Sequence, residues 1–367
     1  MFKKWGNIMN VKYYRLVKID AIPDVRYAML IGQRANGKSY AVKERVLENA
    51  WNKKELFIYL RRYSLDIKMN SVTSYFDDAP VKTITSGEWE RVIAYHGYLY
   101  WARFNDETMK EEHSNDPIGR YCALNEDARY KSQVFKNYTA IVFEEMIPND
   151  NMYLENEPTR LQHFVSTVFR HNTGICYVIG NTLSRVCPYC KEWCIDFTRM
   201  KQGDVQVYNF HVGEDTIKVA VEYCATTNYK NTMFFGKAAK NILSGEWEVD
   251  DRPKLPKPLK EFEELYKMLI EYQNFKFILL LLCDPDNGGK ICYVYPSTHD
   301  YTGFRILTDR FSTDPFINAR LDLSKRPEND IAQCFALNKL CFSDNLTGND
   351  FSAVNEHFNI ACMRSFE

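Results

Sequence analysis

Apolar residues in the first half of this chain form short runs of strand length, one of which leads directly into a segment of helical periodicity. These runs end in polar or glycine residues, as buried parallel strands do when their carboxyl ends carry functional groups. Segment 40–47 then repeats apolar positions at helical spacing, and segment 158–170 does so later. The pattern predicts an α/β domain with a central, mostly parallel sheet, with strands expected at 27–31, 56–60, 138–143 and 175–181.

The second half of the chain has a different pattern. Small, polar and basic residues begin near residue 228, and the proline-rich stretch 252–258 predicts an extended tether. Beyond the tether, the spacing of Phe262, Leu265, Tyr266 and Leu269 predicts an amphipathic helix.

A hairpin follows this predicted helix. Its strands are expected at 275–283 and 291–295, with a turn at 286–289, before a third strand near 304–307 and helices near 331–340. We therefore expect an α/β domain at 1–225 that includes an N-terminal extension at 1–25, a linker at 226–258, and a small α+β domain at 259–367.

The loop between the first strand and its helix carries the clearest chemical signal. Two spaced glycines followed by Lys38 and Ser39 fit the phosphate-loop pattern in its required strand-loop-helix context. Such a loop points backbone N–H groups at an anion, so ATP and Mg²⁺ are the expected cofactors. Lys38 should bridge the β- and γ-phosphates and Ser39 should bind Mg²⁺. A chance glycine turn is the alternative. The candidate nucleotide-binding residues here are Gly32, Gln33, Arg34, Ala35, Asn36, Gly37, Lys38, Ser39 and Tyr40.

Polar residues also close three other predicted strands. Glu144 and Glu145 follow a β-favouring run in the Walker-B form, so Glu144 is expected to hold Mg²⁺ and Glu145 to orient the attacking water. Asn181 is expected to sense the γ-phosphate, although an asparagine capping a turn is the alternative. Arg61 and Arg62 could face phosphate or a neighbouring subunit, and a solvated basic turn fits them equally well.

Composition narrows the class of protein. The formal net charge of −1 excludes a globally basic nucleic-acid coat protein, so any nucleic-acid contact must be local. Eleven cysteines without an apolar leader predict reduced thiols in a cytosol-like compartment. Cys187, Cys190 and Cys194 lack a second ligand pair at suitable spacing, so zinc is not expected. The apolar run 277–283 is too short to span a bilayer.

Together these segments resemble the DNA-packaging ATPases of small, short-tailed phages that replicate by protein priming. The resemblance rests on four motifs, whose order and spacing agree with that family: segments 31–41, 57–63, 141–145 and 167–170. It covers most of the N-terminal domain and becomes weak over the last hundred or so residues. Two positions depart from the family, because Glu144 replaces the usual aspartate and Ser64 replaces a basic residue.

The resemblance implies a homomeric ring, expected to be a pentamer, that docks on the portal of a prohead and drives double-stranded DNA through its pore. A structural RNA on the prohead is a further expected partner, and the host cytoplasm is the expected location. Arg170 falls on an arginine finger supplied in trans. Lys131 falls on a pore-loop lysine and, with Arg129 beside it, is the candidate DNA contact, although a solvated surface lysine is the alternative.

The resemblance also implies that the C-terminal domain is a degenerate RNase H-like unit. Cleavage by two metal ions needs several converging carboxylates, and none is evident among Asp284, Asp286, Asp300 and Asp309. Nucleic-acid binding without cleavage is therefore favoured. Two alternatives stay open: an active nuclease, as in large terminase subunits, and a P-loop protein that uses ATP only to switch an assembly.

Overall fold

The computed structural model describes residues 13–148, 152–225, 252–255, 258, 260–299, 305–309, 312–318 and 320–358. Contacts between these residues divide them into two compact units. The first contains residues 13–183 and 197–225, and the second contains residues 184–196 together with the described residues from 252 onward. Segment 184–196 thus belongs to the second unit, although the sequence pattern assigns it to the ATPase domain. Most of the expected linker lies outside the described residues.

A ten-stranded sheet forms the first unit. Its helices are α1 (Val17–Asp20), α2 (Lys38–Lys53), α3 (Met69–Tyr75), α4 (Val81–Ile84) and α5 (Glu157–Val168), with 3₁₀ helices at Ser64–Asp66 and Leu124–Tyr130. Its strands are β1 (Val25–Gly32), β2 (Leu56–Arg61), β3 (Arg91–Tyr95), β4 (Tyr98–Asn105), β5 (Lys110–His113), β6 (Gly119–Ala123), β7 (Tyr138–Glu144), β8 (Ile175–Asn181), β9 (Val205–Val212) and β10 (Asp215–Cys224).

The strand order is β3-β4-β6-β2-β7-β8-β1-β10-β9, with β5 paired to β4. All neighbours from β6 to β10 along this order run parallel, and antiparallel hairpins extend the sheet at both ends. Strand β8 therefore separates the phosphate-loop strand β1 from the Walker-B strand β7. Because parallel strands end at the same edge, this order gathers Gly32, Glu144 and Asn181 along one edge of the sheet.

Burial explains why these segments form strands and a helix. Strand β1 is buried from Tyr27 to Gly32, and its apolar residues are at most 9% exposed, so both faces of the sheet are covered. Helix α2 packs Val42, Val46 and Leu47 into the same core as β1. A continuous apolar run and a helical apolar stripe are what such a two-sided sheet requires. The predicted α/β class with a mostly parallel sheet is confirmed.

The second unit is built on a six-stranded sheet. Its strands are β11 (Glu263–Tyr272), β12 (Phe275–Cys283), β13 (Lys290–Pro296), β14 (Arg305–Thr308), β15 (Ile317–Asn318) and β16 (Leu340–Phe342), and its helices are α6 (Pro188–Glu192), α7 (Arg326–Ala336) and α8 (Asn345–Phe358). Strands β11, β12 and β13 form an antiparallel meander, and β14 and β15 continue in parallel beside β11. Strand β16 completes the sheet in parallel beside β13.

The amphipathic helix predicted from Phe262 to Leu269 is wrong, because the structure has strand β11 there. Leu265 is 46% exposed, whereas Met268, Leu269 and Ile270 are buried, so burial is continuous rather than helical in period. Pairing with β12 along nine register positions, and with β14 on the other side, stabilises the strand. Tertiary pairing thus overrides a helical spacing that extends over only two turns.

The described residues contain no helix that is both long enough and apolar enough to cross a membrane. The apolar run 277–283 lies within β12, as predicted. Its side chains alternate between two separate clusters, with Phe277, Leu279 and Leu281 on one face and Ile278, Leu280 and Leu282 on the other. Burial on both faces accounts for the unbroken apolar sequence.

Arg62 does not face phosphate or a neighbouring subunit, so that prediction is wrong for this residue. Its guanidinium is buried and forms a two-pronged ion pair with Glu157 at the start of α5, with N–O distances of 2.6 and 2.9 Å. It also donates to the carbonyl oxygens of Glu145 and Met146 at 3.0 and 2.9 Å. Arg62 thus connects the turn after β7 to α5.

We predict that Arg62→Ala lowers the free energy of unfolding by about 3–5 kcal/mol, because it leaves the buried Glu157 carboxylate unpaired. Arg45→Ala is the matched control, since Arg45 forms an equally two-pronged pair with Asp20 in which the side chains are 33% and 38% exposed. That pair should contribute about 0–1 kcal/mol. Urea titrations followed by fluorescence measure both losses, and losses of equal size would contradict the structural role of Arg62.

Candidate nucleotide site

The loop between β1 and α2 is shaped as an anion site. Gly37 has φ +97° and directly precedes the first residue of α2, so the loop enters the helix through a left-handed residue and ends at the helix N-terminus, where anions bind favourably. At Gly32, an added Cβ would lie 3.0 Å from the carbonyl oxygen of Cys224 on the neighbouring strand. Glycine is therefore required at one position by conformation and at the other by close packing.

Lys38 is the buried centre of the loop, and its residue is only 3% exposed. Its ammonium donates to the carbonyl oxygens of Gly32 and Gln33 at 3.0 and 2.6 Å, and to the side-chain oxygens of Asn36 and Asn181 at 3.2 and 3.4 Å. These four acceptors are uncharged. Burial lowers the pKa of Lys38 to about 8, and the nearby Glu144 only partly opposes this shift.

An anionic ligand fits the groups that surround Lys38. The Nδ2 donor of Asn36 is buried and has no hydrogen-bond partner in the described part of the chain. A cavity of about 730 Å³ opens over the loop, which is within the range of sites for small ligands. Its lining comprises Tyr13, Tyr14, Arg15, Arg34, Ala35, Asn36, Gly37, Lys38, Ser39, Tyr40, Glu44, Asp78 and Asn181. A triphosphate would neutralise the ammonium and use the free amide donor.

Residues 13–15 form a wall of this cavity that the sequence pattern did not reveal. The backbone N–H of Tyr14 donates to the carbonyl oxygen of Asn36 at 3.0 Å, and the Tyr14 hydroxyl donates to Glu222 on β10 at 2.7 Å. Burial raises the pKa of Glu222. These bonds fasten the N-terminal segment to the phosphate loop, and such long-range pairing leaves no local signal.

Glu144, the candidate metal ligand, ends β7 and is 9% exposed. Its Oε1 accepts a hydrogen bond from the Tyr75 hydroxyl at 2.6 Å. Burial is the main cause that raises the pKa of Tyr75 well above its ordinary value, so the phenol remains a donor. Mg²⁺ in nucleoside triphosphate sites takes one or two protein oxygens and completes its shell with phosphates and water. Ser39, which lines the cavity, and Glu144 fit that requirement.

Glu145, the candidate catalytic residue, adopts a backbone φ of +64°. Non-glycine residues in this region cost free energy and are frequent at functional sites. Its carboxylate pairs with Arg61 at 2.5 Å, and Arg61 also lies 3.8 Å from Asp66. Arg61 thus contacts the catalytic candidate itself, which the sequence pattern did not predict although Arg61 stands directly at the end of β2.

Arg170 follows α5 at the surface and does not line the cavity described above. Its Nη2 donates to the carbonyl oxygen of Lys131 at 3.3 Å, so the finger candidate and the DNA-contact candidate lie side by side. The Lys131 ammonium is 4.0 Å from Asp127, and Arg129 pairs with Glu126 at 2.5 Å. Both lysine and arginine are more than half exposed, so these pairs contribute little.

The three cysteines of segment 187–194 do not form a metal centre with other ligands in the described residues. Cys187 and Cys190 are buried in the second unit and Cys194 is exposed. Across the described ranges, no group of three or more His, Cys, Asp or Glu side chains is placed to hold a metal ion. Segment 184–196 instead packs Val186 into the core of the second unit.

The loop geometry and the strand order with β8 between β1 and β7 define a P-loop nucleoside triphosphatase fold. A sequence profile of the family described as "Podovirus DNA encapsidation protein (Gp16)" matches residues 12–202, and the chain belongs to this family.

Two relatives are DNA packaging proteins of Bacillus phages. That of phage B103 is 30% identical over 166 residues, which is 44% of this chain and 45% of the relative. That of phage phi29 is 28% identical over 163 residues, or 44% of each chain. The matched region therefore spans less than half the length of these curated relatives.

Two solved structures share the fold. The phi29 viral genome packaging motor assembly has a TM-score of 0.56 at 19% identity, covering 95% of this chain and 99% of that chain. The phi28 gp11 DNA packaging motor has a TM-score of 0.50 at 15% identity, covering 97% and 99%. At these identities the likeness concerns the fold alone.

We predict that nucleotide affinity falls as the pH rises above about 8. Phosphate binds the charged form of Lys38, and the free protein loses that form above its pKa of about 8. Affinity should be level below this pH and decrease up to about tenfold per pH unit above it. ADP titrations between about pH 7.5 and 9.5 measure the trend, with Lys38→Ala as a weak, pH-independent control. A wild-type affinity that stays level throughout would contradict it.

Proposed function

We propose that this chain hydrolyses ATP in a homomeric ring and thereby drives double-stranded DNA into a preformed phage prohead. The observation that carries the proposal is the buried Lys38 ammonium, which has only uncharged acceptors and a cavity beside it. Glu144 ends strand β7, which lies two positions from β1 in the sheet, and Glu145 follows directly. Membership of the encapsidation family and relatives named DNA packaging proteins support the cargo and the destination.

Each residue of the site has a separate role in phosphoryl transfer. Bound ATP supplies the γ-phosphoryl group, and bound Mg²⁺ neutralises its developing charge. Lys38 and the loop N–H groups hold the phosphates, while Ser39 and Glu144 position the metal. Glu145 orients the attacking water, and Arg61 fixes its carboxylate. Asn181, whose amide oxygen lies 3.4 Å from the Lys38 ammonium, registers whether the γ-phosphate is present.

In this proposal, a neighbouring subunit of the ring supplies the arginine finger for each nucleotide site. Arg170 is exposed directly after α5, where it is open to contact with a neighbouring subunit, and this exposure supports its role as an arginine finger in trans. We propose a pentameric ring seated on the portal in the host cytoplasm, with a prohead RNA as an additional partner. The two similar solved structures are both packaging motors, which supports an assembly of this kind.

The second unit binds nucleic acid without cutting it in this proposal. Glu271 near the end of β11 pairs with Lys276 at 3.4 Å, and Asp309 after β14 pairs with Lys191. The register aligns Glu271 with Thr308, directly before Asp309, so these two acids stand at the same end of adjacent strands. Metal-dependent cleavage needs converging carboxylates free to bind cations, and lysines neutralise both acids here.

Two substitutions test the hydrolysis step. Lys38→Ala should lose ATP turnover and bind ATP weakly, because it removes the cation that clamps the phosphates. Glu145→Gln should lose turnover by about 100-fold or more while retaining tight ATP binding, because it removes only the group that orients water. Phosphate release and equilibrium binding of a fluorescent ATP analogue measure the two effects. Wild-type turnover in either variant would contradict the assignment.

Arg170 and Lys131 are neighbours, and substituting each of them should impair a different activity. Arg170→Ala should reduce turnover by about 1,000-fold with little change in nucleotide affinity or in DNA binding. Lys131→Ala, with Arg129→Ala as its companion, should keep DNA-independent turnover but lower the slope of log DNA affinity against log salt by about one. Each variant is the control for the other. An unchanged salt slope for Lys131→Ala would place the DNA contact elsewhere.

A further inference from the structure

Tyr75, which donates a hydrogen bond to Glu144, lies outside every motif that defines the nucleotide site. Tyr75 is the last residue of α3, in the segment between β2 and β3, and it is 69 positions before Glu144 in the chain. The acceptor of this bond is Oε1 of the Glu144 carboxylate. Oε2 has no hydrogen-bond donor in the described part of the chain, so it is the oxygen left for a metal ion or its water.

The Tyr75 ring is itself held from two sides. It stacks on Tyr59 of β2 with ring centres 4.3 Å apart and planes inclined at 27°. On another side, the Lys43 ammonium lies 4.5 Å from the ring centre and donates to the Tyr75 carbonyl oxygen at 2.8 Å. Lys43 is buried and also pairs with Asp78. A ring fixed in this way holds its hydroxyl in one place.

Lys43 connects this arrangement to the phosphate loop. It lies four residues after Ser39 on α2, and residues at that spacing share one face of a helix. The same helix thus carries one metal-ligand candidate, Ser39, and the lysine that anchors the partner of the other, Glu144. A movement of α2 relative to α3 would therefore change the position of the Glu144 carboxylate.

We propose that Tyr75 is a positioning residue that holds Glu144 for Mg²⁺. The proposal rests on the function proposed above and deepens it for the metal. A glutamate has one more rotatable bond than an aspartate, so its carboxylate must be fixed before the two ligands can share one ion. The Tyr75 hydroxyl removes that freedom by binding Oε1, and it leaves Oε2 available for the metal. The longer acid and the tyrosine form one functional unit.

The test is Tyr75→Phe, which keeps the ring and its stacking but removes the hydroxyl. Binding of a fluorescent ADP analogue is titrated with Mg²⁺, and again with Mn²⁺, in the full chain. The Mg²⁺ concentration for half-saturation should rise roughly tenfold, the size expected for one hydrogen bond to a charged group. ADP binding without metal should stay within about twofold of wild type, because no phosphate contact changes.

Tyr59→Phe is the matched control, since it removes the other hydroxyl of the same stacked pair, which bonds Arg61 and not Glu144, and leaves the bond to Glu144 intact. Its Mg²⁺ half-saturation should stay within about twofold of wild type. Glu144→Asp supplies a second comparison. In that background Tyr75→Phe should shift the Mg²⁺ requirement by less than about twofold, because the position of the shorter acid no longer depends on the hydrogen bond from Tyr75.

Three results would overturn the proposal: an unchanged Mg²⁺ requirement in Tyr75→Phe, an equal shift in Tyr59→Phe, or an undiminished shift in the Glu144→Asp background. Melting curves establish that each variant folds, and 4-fluorophenylalanine at position 75 replaces Tyr75→Phe should that variant fail to fold. Lys38→Ala separates the two proposals. If it abolishes nucleotide binding while Tyr75→Phe has no effect, only the role of Tyr75 is lost; if Lys38→Ala binds normally, the nucleotide site itself is refuted.

Discussion

The burial of one ammonium group is the constraint on which this structure depends. The buried Lys38 ammonium donates hydrogen bonds only to uncharged oxygens. Its lowered pKa of about 8 reflects the loss of contact with solvent. A buried cation without a counterion is costly, and an anion in the adjoining cavity removes that cost. The position of this ammonium depends on the glycines of the loop and on the parallel order of β1, β8 and β7. The N-terminal segment covers one side of the adjoining cavity.

Around Lys38, the two acids that we propose as part of the site are held by residues from other segments. Tyr75 holds Glu144, Arg61 holds Glu145, and Arg62 fixes the carbonyl oxygen of Glu145 while pairing with the helix that leads to Arg170. The turn that carries Glu145 is therefore linked by charge-assisted hydrogen bonds to the start of α5, and Arg170 follows the other end of that helix. Such bonds are directional, so a shift at one end alters the geometry at the other.

The sequence predicted what depends on local pattern. The positions of the phosphate loop, of Glu144 and Glu145, and of Asn181 at the ends of strands could be predicted because a buried strand and the polar residues that end it are consecutive in the chain. Tyr75 was missed, since its partner is 69 residues away and its own segment has no clear periodicity. Arg62 was misread because nothing local distinguishes a buried arginine from a solvated one. Strand β11 was misread as a helix because its pairing with β12 and β14 overrides a short apolar spacing.

The account is tested most directly by mixing the protein with proheads, double-stranded DNA and ATP, and measuring phosphate release together with DNA protected from added nuclease. We predict that phosphate release rises severalfold only when DNA and proheads are both present, that DNA becomes protected in proportion, and that the protected DNA is full-length. Turnover indifferent to DNA and proheads, with no DNA protected, would contradict a motor and favour an ATP-dependent assembly switch. Fragmented DNA before nuclease addition would contradict the non-cleaving role of the second unit.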